Sequence, residues 1–326
     1  MIPGILVPSA VLKVPMQKCC NEKCCNEKCC NKKCCNKKCC NEKCHKQPRR
    51  LSSFTSTDLL SKSDAPSHLT DTEPYILRGF RPRLTLLGCL KSLFQLHNES
   101  MNIWTHLLGS LYMYVLTKRR WYSTATSHAG LRRVPPLLVG TAGTALFAAS
   151  ATAHCLCAHG EHTCKCCFAV DKSMISYFLL GCALSSSLVY FRRPTQSLNR
   201  FLFATAAALS STFGALQISG VIGDTSKLFN VLVLASQAVT GLIPPVLELT
   251  STHRRDVKKI IVQRAALATG LAFVGASFYA SRYPEKQWPN YFDYFGNSHT
   301  LMHIFVVGSA HVAFHGYSEA VDLVLR

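Results

Sequence analysis

Read for apolar and polar positions, the chain divides into two unlike parts. Beyond residue 99, seven stretches contain no Asp, Glu, Lys or Arg: residues 100–117, 134–160, 173–191, 201–223, 228–247, 265–281 and 294–318. Each is near or above the ~20 residues that a helix needs to cross a bilayer. The shortest, 265–281, extends back through residues 260–262 if Arg264 snorkels toward the interface. The pattern predicts an all-α fold, a bundle of seven transmembrane helices. Buried helices of a large soluble bundle are the alternative; seven such runs separated by basic loops argue against it.

The part ahead of these runs has no apolar period. Residues 18–44 repeat a five-residue unit, roughly Cys-Cys-Asn-Glu/Lys-Lys, which has nothing to bury in a core. Residues 45 to about 74 are rich in Ser, Thr, Asp and Pro and read as disordered linker. The expected organisation is therefore a disordered tail, residues 1–73, and a membrane domain, residues 74–326. The first sixteen residues carry Pro3, Pro8 and Pro15 without a basic start, so they do not read as a signal peptide. Between tail and bundle, the segment from Glu73 to Pro82 mixes aromatic, aliphatic and basic residues, which suits an interface. Leu90-Lys91-Ser92-Leu93-Phe94 fits either a short amphipathic helix on the membrane surface or a plain connecting loop.

Composition sharpens this division. The net charge is +19, yet only 16% of residues are charged, so the charges are clustered. They lie in the tail and in short loops between apolar runs, which points to anionic lipid headgroups and not to nucleic acid. Of 18 cysteines, 11 fall between Cys19 and Cys44, unlike the spread of a secreted disulfide scaffold. The repeat reads first as an expanded coding repeat with little function. Acylation of the Cys-Cys pairs and soft-metal buffering are its alternatives.

Polar side chains inside hydrocarbon are costly, so those present are candidates for function. Counting crossings places His154 near the end of the second run, Asp171 just before the third, and His299 and His303 in the first turns of the seventh, all at one membrane face. His299 and His303 are four apart and share a helix face. With His154 they offer three nitrogens to a metal and leave a fourth tetrahedral position open, the pattern of a catalytic zinc. Ser150 lies on the face of His154 and reaches the metal's outer shell; Asp171 is placed to take or orient a proton. For each histidine singly the alternative is an interhelical hydrogen bond, and for the set it is a proton relay. A second group, Cys155, Cys157, His159, His162, Cys164, Cys166 and Cys167, has short irregular spacing. It reads as reduced loop thiols, with a soft-metal site as the alternative. Glu99, Asn102 and His106 share one face of the first run, as caps or as interhelical contacts. His311 and His315 lie deeper in the last run, as helix contacts or part of a polar cavity.

Several of these segments resemble the progestin and adipoQ receptor family, which is related to hemolysin III proteins. Tyr75-Ile76-Leu77-Arg78-Gly79-Phe80-Arg81-Pro82 resembles its membrane-proximal segment and Glu99-Ser100-Met101-Asn102-Ile103-Trp104-Thr105-His106 its first-helix signature. Ser150-Ala151-Thr152-Ala153-His154 resembles its Ser-x-x-x-His motif and His299-Thr300-Leu301-Met302-His303 its His-x-x-x-His motif. Asp171 stands where the family has its third-helix aspartate. The resemblance covers residues 74 to 320. It implies an adiponectin-receptor-like bundle with zinc on His154, His299 and His303, and with Asp171 and Ser150 beside the metal's water. It further implies hydrolysis of ceramide-like membrane lipids and an amino terminus in the cytosol, in the plasma membrane or an endomembrane. The Cys-rich repeat, the loop cysteines after His154, and His311 with His315 depart from the family pattern.

Loop charge conflicts with that orientation. The loops after runs one, three and five are the more basic, which by charge alone places the amino terminus outside. The functional expectation is a zinc-dependent, receptor-like hydrolase of lipid amides. Its competitors are a non-enzymatic receptor with structural zinc and an extracellular ligand, and a regulator of zinc or sterol homeostasis.

Overall fold

A computed structural model describes residues 50–71, 73–123, 129–191, 194–222 and 227–324. The Cys-rich repeat lies outside the described residues. Nine α-helices occur among them: α1 (Ser67–Thr70), α2 (Leu86–Ser92), α3 (Ser100–Ser123), α4 (Ala129–Leu156), α5 (Glu161–Tyr190), α6 (Ser197–Ile218), α7 (Lys227–Ser251), α8 (Arg255–Ser281) and α9 (Ser298–Val324). The last seven are the long helices that the charge-free runs predicted. At a 1.5 Å rise, helices of this length span roughly 33–45 Å, enough to cross a bilayer. Five of them, α4 to α8, are both long and apolar enough to cross a membrane by composition. The other two carry imidazoles in the same span: His106 in α3, and His299, His303, His311 and His315 in α9.

The bundle is apolar on both its inside and its outside. Met113, Val139, Leu146, Phe147, Phe178, Ala310 and Phe314, from α3, α4, α5 and α9, form its centre. Close helix approach makes this packing possible: a Cβ on Gly140 would stand 1.9 Å from the Thr117 hydroxyl, so only glycine lets α3 and α4 meet there. On the outside, Phe201, Leu209, Val239 and Phe273 are each more than 60% exposed. A water-soluble bundle would turn such side chains inward; a multi-pass membrane bundle presents them to lipid.

The linker expectation is corrected from Arg50 onward. Leu51 pairs with Leu84, and Leu60 with Phe80, through isolated β-bridges. Phe54 is buried and packs with Leu84, Cys89, Ile103, Cys155 and Ala158. The Ser, Thr and Asp residues that suggested disorder form local turns instead. The Thr55 amide and hydroxyl both donate to Asp58, and the Ser61 hydroxyl donates to Asp64.

The short surface helix is present but begins earlier than expected, at Leu86. The Thr85 hydroxyl caps it by accepting from the Gly88 amide at 3.0 Å. Gly88, Cys89 and Ser92 face the bundle, while Leu86, Leu87 and Leu90 point outward and are each more than half exposed. An apolar outer face suits a helix seated in the membrane interface.

Candidate metal centre

The centre lies where the starts of α3 and α9 meet the end of α4. Asn297 caps α9 by accepting from the Thr300 amide at 2.9 Å. The buried Glu285 carboxylate takes the Ser298 amide at 2.7 Å and also accepts from the Ser298 hydroxyl. This double cap fixes the first turn of α9, which carries His299 and His303. At the other element, Arg81 is 2% exposed and donates to the carbonyls of His154 at 2.5 Å and Cys155 at 2.9 Å. It also donates to the Ser92 hydroxyl at 2.9 Å. A buried cation therefore satisfies the C-terminal carbonyls of α4 and complements its dipole, which fixes the backbone that carries His154.

His154, His299 and His303 come together, with one ligating atom from each lying within 4.8 Å of the others. Their ring centres are 4.9, 5.1 and 4.8 Å apart, and the rings are tilted 71–85° to one another. Each ring is held through Nδ1. His154 Nδ1 donates to Glu99 at 2.7 Å, His299 Nδ1 to Glu73 at 2.6 Å, and His303 Nδ1 to the Asn102 carbonyl at 3.1 Å. An imidazole bonded this way at Nδ1 presents the Nε2 lone pair, and carboxylate or carbonyl partners of this kind orient metal-binding histidines. His154 Nε2 is buried and has no hydrogen-bond partner among the described residues. Three pre-oriented ring nitrogens, one of them an orphaned buried atom, suit a divalent metal ion.

The outer contacts are continuous. Asn102 donates from its side chain to Glu99 at 2.9 Å and accepts from the Thr300 hydroxyl at 2.7 Å. One residue of α3 thus links α9 to the carboxylate that holds His154. Glu73 accepts from His299 on one oxygen and from Arg282 on the other, at 2.9 Å. His106 stacks flat on His303, with ring centres 3.6 Å apart.

Asp171 was expected immediately before a helix; it lies inside α5, which begins at Glu161 and carries Lys165 and Lys172 on its polar first turns. Its carboxylate lies beside Ser150 and within electrostatic reach of His154 and His299. Ser150 is 2% exposed. The structure thus places both near the three histidines, though not in the ligand set.

The loop thiols do not gather into a second metal set: among the described residues only the three histidines do so. Cys157 and Cys164 form a disulfide, while Cys155, Cys166 and Cys167 are free. His311 and His315 lie apart from the centre. The first meets the Tyr112 hydroxyl at 2.6 Å, and the two rings are 4.5 Å apart. Glu73 and Arg81 are not legible as site residues in the sequence. Both lie before the first membrane run, and nothing in their spacing links them to helices far along the chain. Glu99 and Asn102 were legible as one face of α3 but not as partners of His154 and Thr300.

These features define a multi-pass, all-α membrane protein with a three-histidine centre at one end of its bundle. The chain belongs to the haemolysin-III-related family, the family of the progestin and adipoQ receptors; the family's model matches residues 94–314. Heptahelical transmembrane protein 1 of Arabidopsis thaliana is 25% identical over 261 residues, covering 77% of each chain. Progestin and adipoQ receptor family member 3 of Homo sapiens is 27% identical over 76% of this chain and 81% of its own. Membrane progestin receptor delta of Mus musculus is 30% identical over 73% of this chain and 72% of its own.

Proposed function

We propose that His154, His299 and His303 hold one zinc ion and that the protein hydrolyses the amide bond of a ceramide-like lipid. The observation that carries this reading is the set of three converging imidazoles, each fixed at Nδ1 by a different residue, with His154 Nε2 buried and unpartnered among the described residues. A bound zinc supplies Lewis-acid chemistry, polarising a carbonyl and making water acidic near pH 7. Asp171 takes the proton of the attacking water and returns it to the amide nitrogen as the sphingoid amine leaves. Ser150, beside the Asp171 carboxylate, orients it for that proton transfer. The apolar cavity between α5, α7, α8 and α9 offers room for hydrocarbon within the same bundle. The purified protein in detergent is expected to release fatty acid from a ceramide, and His299→Ala to abolish the release. Equal release by the variant refutes the reading.

A receptor without turnover is the second reading, supported by relatives that carry the word receptor in their names. In that case the zinc ties α4 to α9, and its removal lowers the melting temperature while no lipid is consumed.

The resemblance favours a cytosolic amino terminus and metal end. The loop charges favour the reverse, and the Cys157–Cys164 disulfide at the metal end agrees with them, since disulfides persist in oxidising compartments. On the cytosolic reading, protease added to sealed microsomes removes an epitope placed on the tail. Protection of the epitope overturns that orientation.

A further inference from the structure

The end of α4 that carries His154 is tied to the start of α5 by a disulfide. Cys157 stands three residues after His154, in the turn Cys157–His159, and Cys164 lies in the first turn of α5. The two are bonded across seven residues and are 6% and 5% exposed. The turn is anchored from the segment ahead of α2. The Leu84 amide donates to the Ala158 carbonyl at 3.0 Å, and His159 Nδ1 donates to the Leu84 carbonyl at 3.0 Å. Side chains in the first turns of α5 pair within the helix instead, Lys165 with Glu161 at 2.7 Å and Cys166 with His162 at 3.8 Å. The disulfide is thus a covalent tie between an anchored turn and the start of α5.

Phe168 and Asp171 follow Cys164 at four and seven residues, on the same face of α5. The Phe168 ring meets the His154 ring edge-on, with centres 4.9 Å apart. Asp171 lies within electrostatic reach of His154 and His299. One bond therefore joins the helix end that carries a metal-site histidine to the helix face that packs on that histidine. Helix ends open at little cost, and a cross-link over a short turn keeps this one closed.

We infer that Cys157 and Cys164 form a redox switch on the metal centre. Oxidised, the pair holds the face of α5 with Phe168 and Asp171 against His154; reduced, it releases that face and weakens metal binding. The reductant is a small thiol of the glutathione kind. One thiolate attacks Cys164 Sγ, the S–S bond breaks, and Cys157 leaves as a thiolate that takes up a proton. A second thiolate attacks the donor's sulfur in the mixed disulfide. Cys164 then leaves and is protonated, and the donor departs as its own disulfide. Two electrons and two protons pass to the pair. Thiols stay reduced in the cytosol and disulfides persist in oxidising compartments, so the switch follows the surroundings that the metal end meets. The inference rests on the metal reading above for what is controlled; the release of α5 does not.

The test equilibrates the full-length protein in detergent over a series of reduced-to-oxidised glutathione ratios. Alkylation and mass analysis give the reduced fraction of the pair. Zinc affinity, by chelator competition after glutathione is removed under inert gas, and amide hydrogen exchange over residues 161–171 of α5 are read at the same ratios. Reduction is expected to weaken zinc binding about tenfold, the low end of what loss of a metal site's outer support costs. Exchange is expected to quicken, and both changes follow the reduced fraction and reverse on reoxidation. Cys157→Ser combined with Cys164→Ser is expected to behave as the reduced protein at every ratio. A pair that stays oxidised throughout the series overturns the switch. So does a zinc affinity that is the same in both states. Should the double variant fold poorly, the wild-type series decides alone. Faster exchange on reduction in a protein that takes up no zinc rejects the metal reading and leaves the release of α5 standing. Bound zinc with affinity and exchange both unchanged rejects only the switch.

Discussion

Replacing Glu99 with alanine tests whether the outer contacts set metal affinity. Glu99 Oε2 accepts from His154 Nδ1 at 2.7 Å and from Asn102 Nδ2 at 2.9 Å. The substitution frees the His154 ring to rotate and to carry its proton on Nε2, the nitrogen needed for the metal. It also releases Asn102, whose backbone carbonyl holds His303 and whose side chain meets Thr300. Loss of such a partner typically weakens metal binding by about 10–100-fold. That corresponds to about 1.4–2.8 kcal/mol at 1.4 kcal/mol per tenfold. Glu99→Gln keeps an oxygen acceptor of the same reach and loses only the charge, so its effect is smaller. Zinc affinity measured by competition with a chromogenic chelator, in detergent at fixed pH, reads the wild-type protein, both Glu99 variants and His303→Ala. Unchanged affinity in Glu99→Ala, alongside loss in His303→Ala, refutes the reasoning.

Arg81→Met leaves the last carbonyls of α4 and the Ser92 hydroxyl without their donor in a buried site. At about 1–3 kcal/mol for each of the two carbonyls left unpaired, the expected loss is about 2–6 kcal/mol, read as a lower melting temperature; a variant as stable as the parent contradicts the capping role. Burial, reinforced by the nearby Arg81 guanidinium, holds the His97 imidazole well below its ordinary value. The unfolded chain takes up that proton near pH 6.5 while the folded protein does not, so this stability is present above pH ~6.5 and is lost as pH falls below it. His97→Asn, which keeps an acceptor for the Glu99 amide, is expected to flatten the fall in melting temperature between about pH 7.5 and pH 5.5; parallel curves contradict it.

The helices were legible because a spanning segment must exclude charge over its whole length, and that rule needs no knowledge of neighbours. Crossing parity likewise brought His154, His299 and His303 to one face. Two limits of that reasoning show in the structure. A charge-free run marks the apolar part of a helix and not its ends, so α5 begins twelve residues before its run and takes Asp171 inside it. Ser, Thr and Asp between residues 50 and 73 have the same composition whether they are solvated or tied into turns. Glu73, from the same stretch, completes the centre through His299. A contact across more than 200 residues leaves no trace in local spacing.

Metal analysis of the purified protein tests the central claim most directly. The three-histidine account predicts one zinc per chain in the wild-type protein and none in His303→Ala, with helix content unchanged. Full zinc occupancy in that variant, or a wild-type protein that takes up no zinc when the ion is supplied, contradicts it.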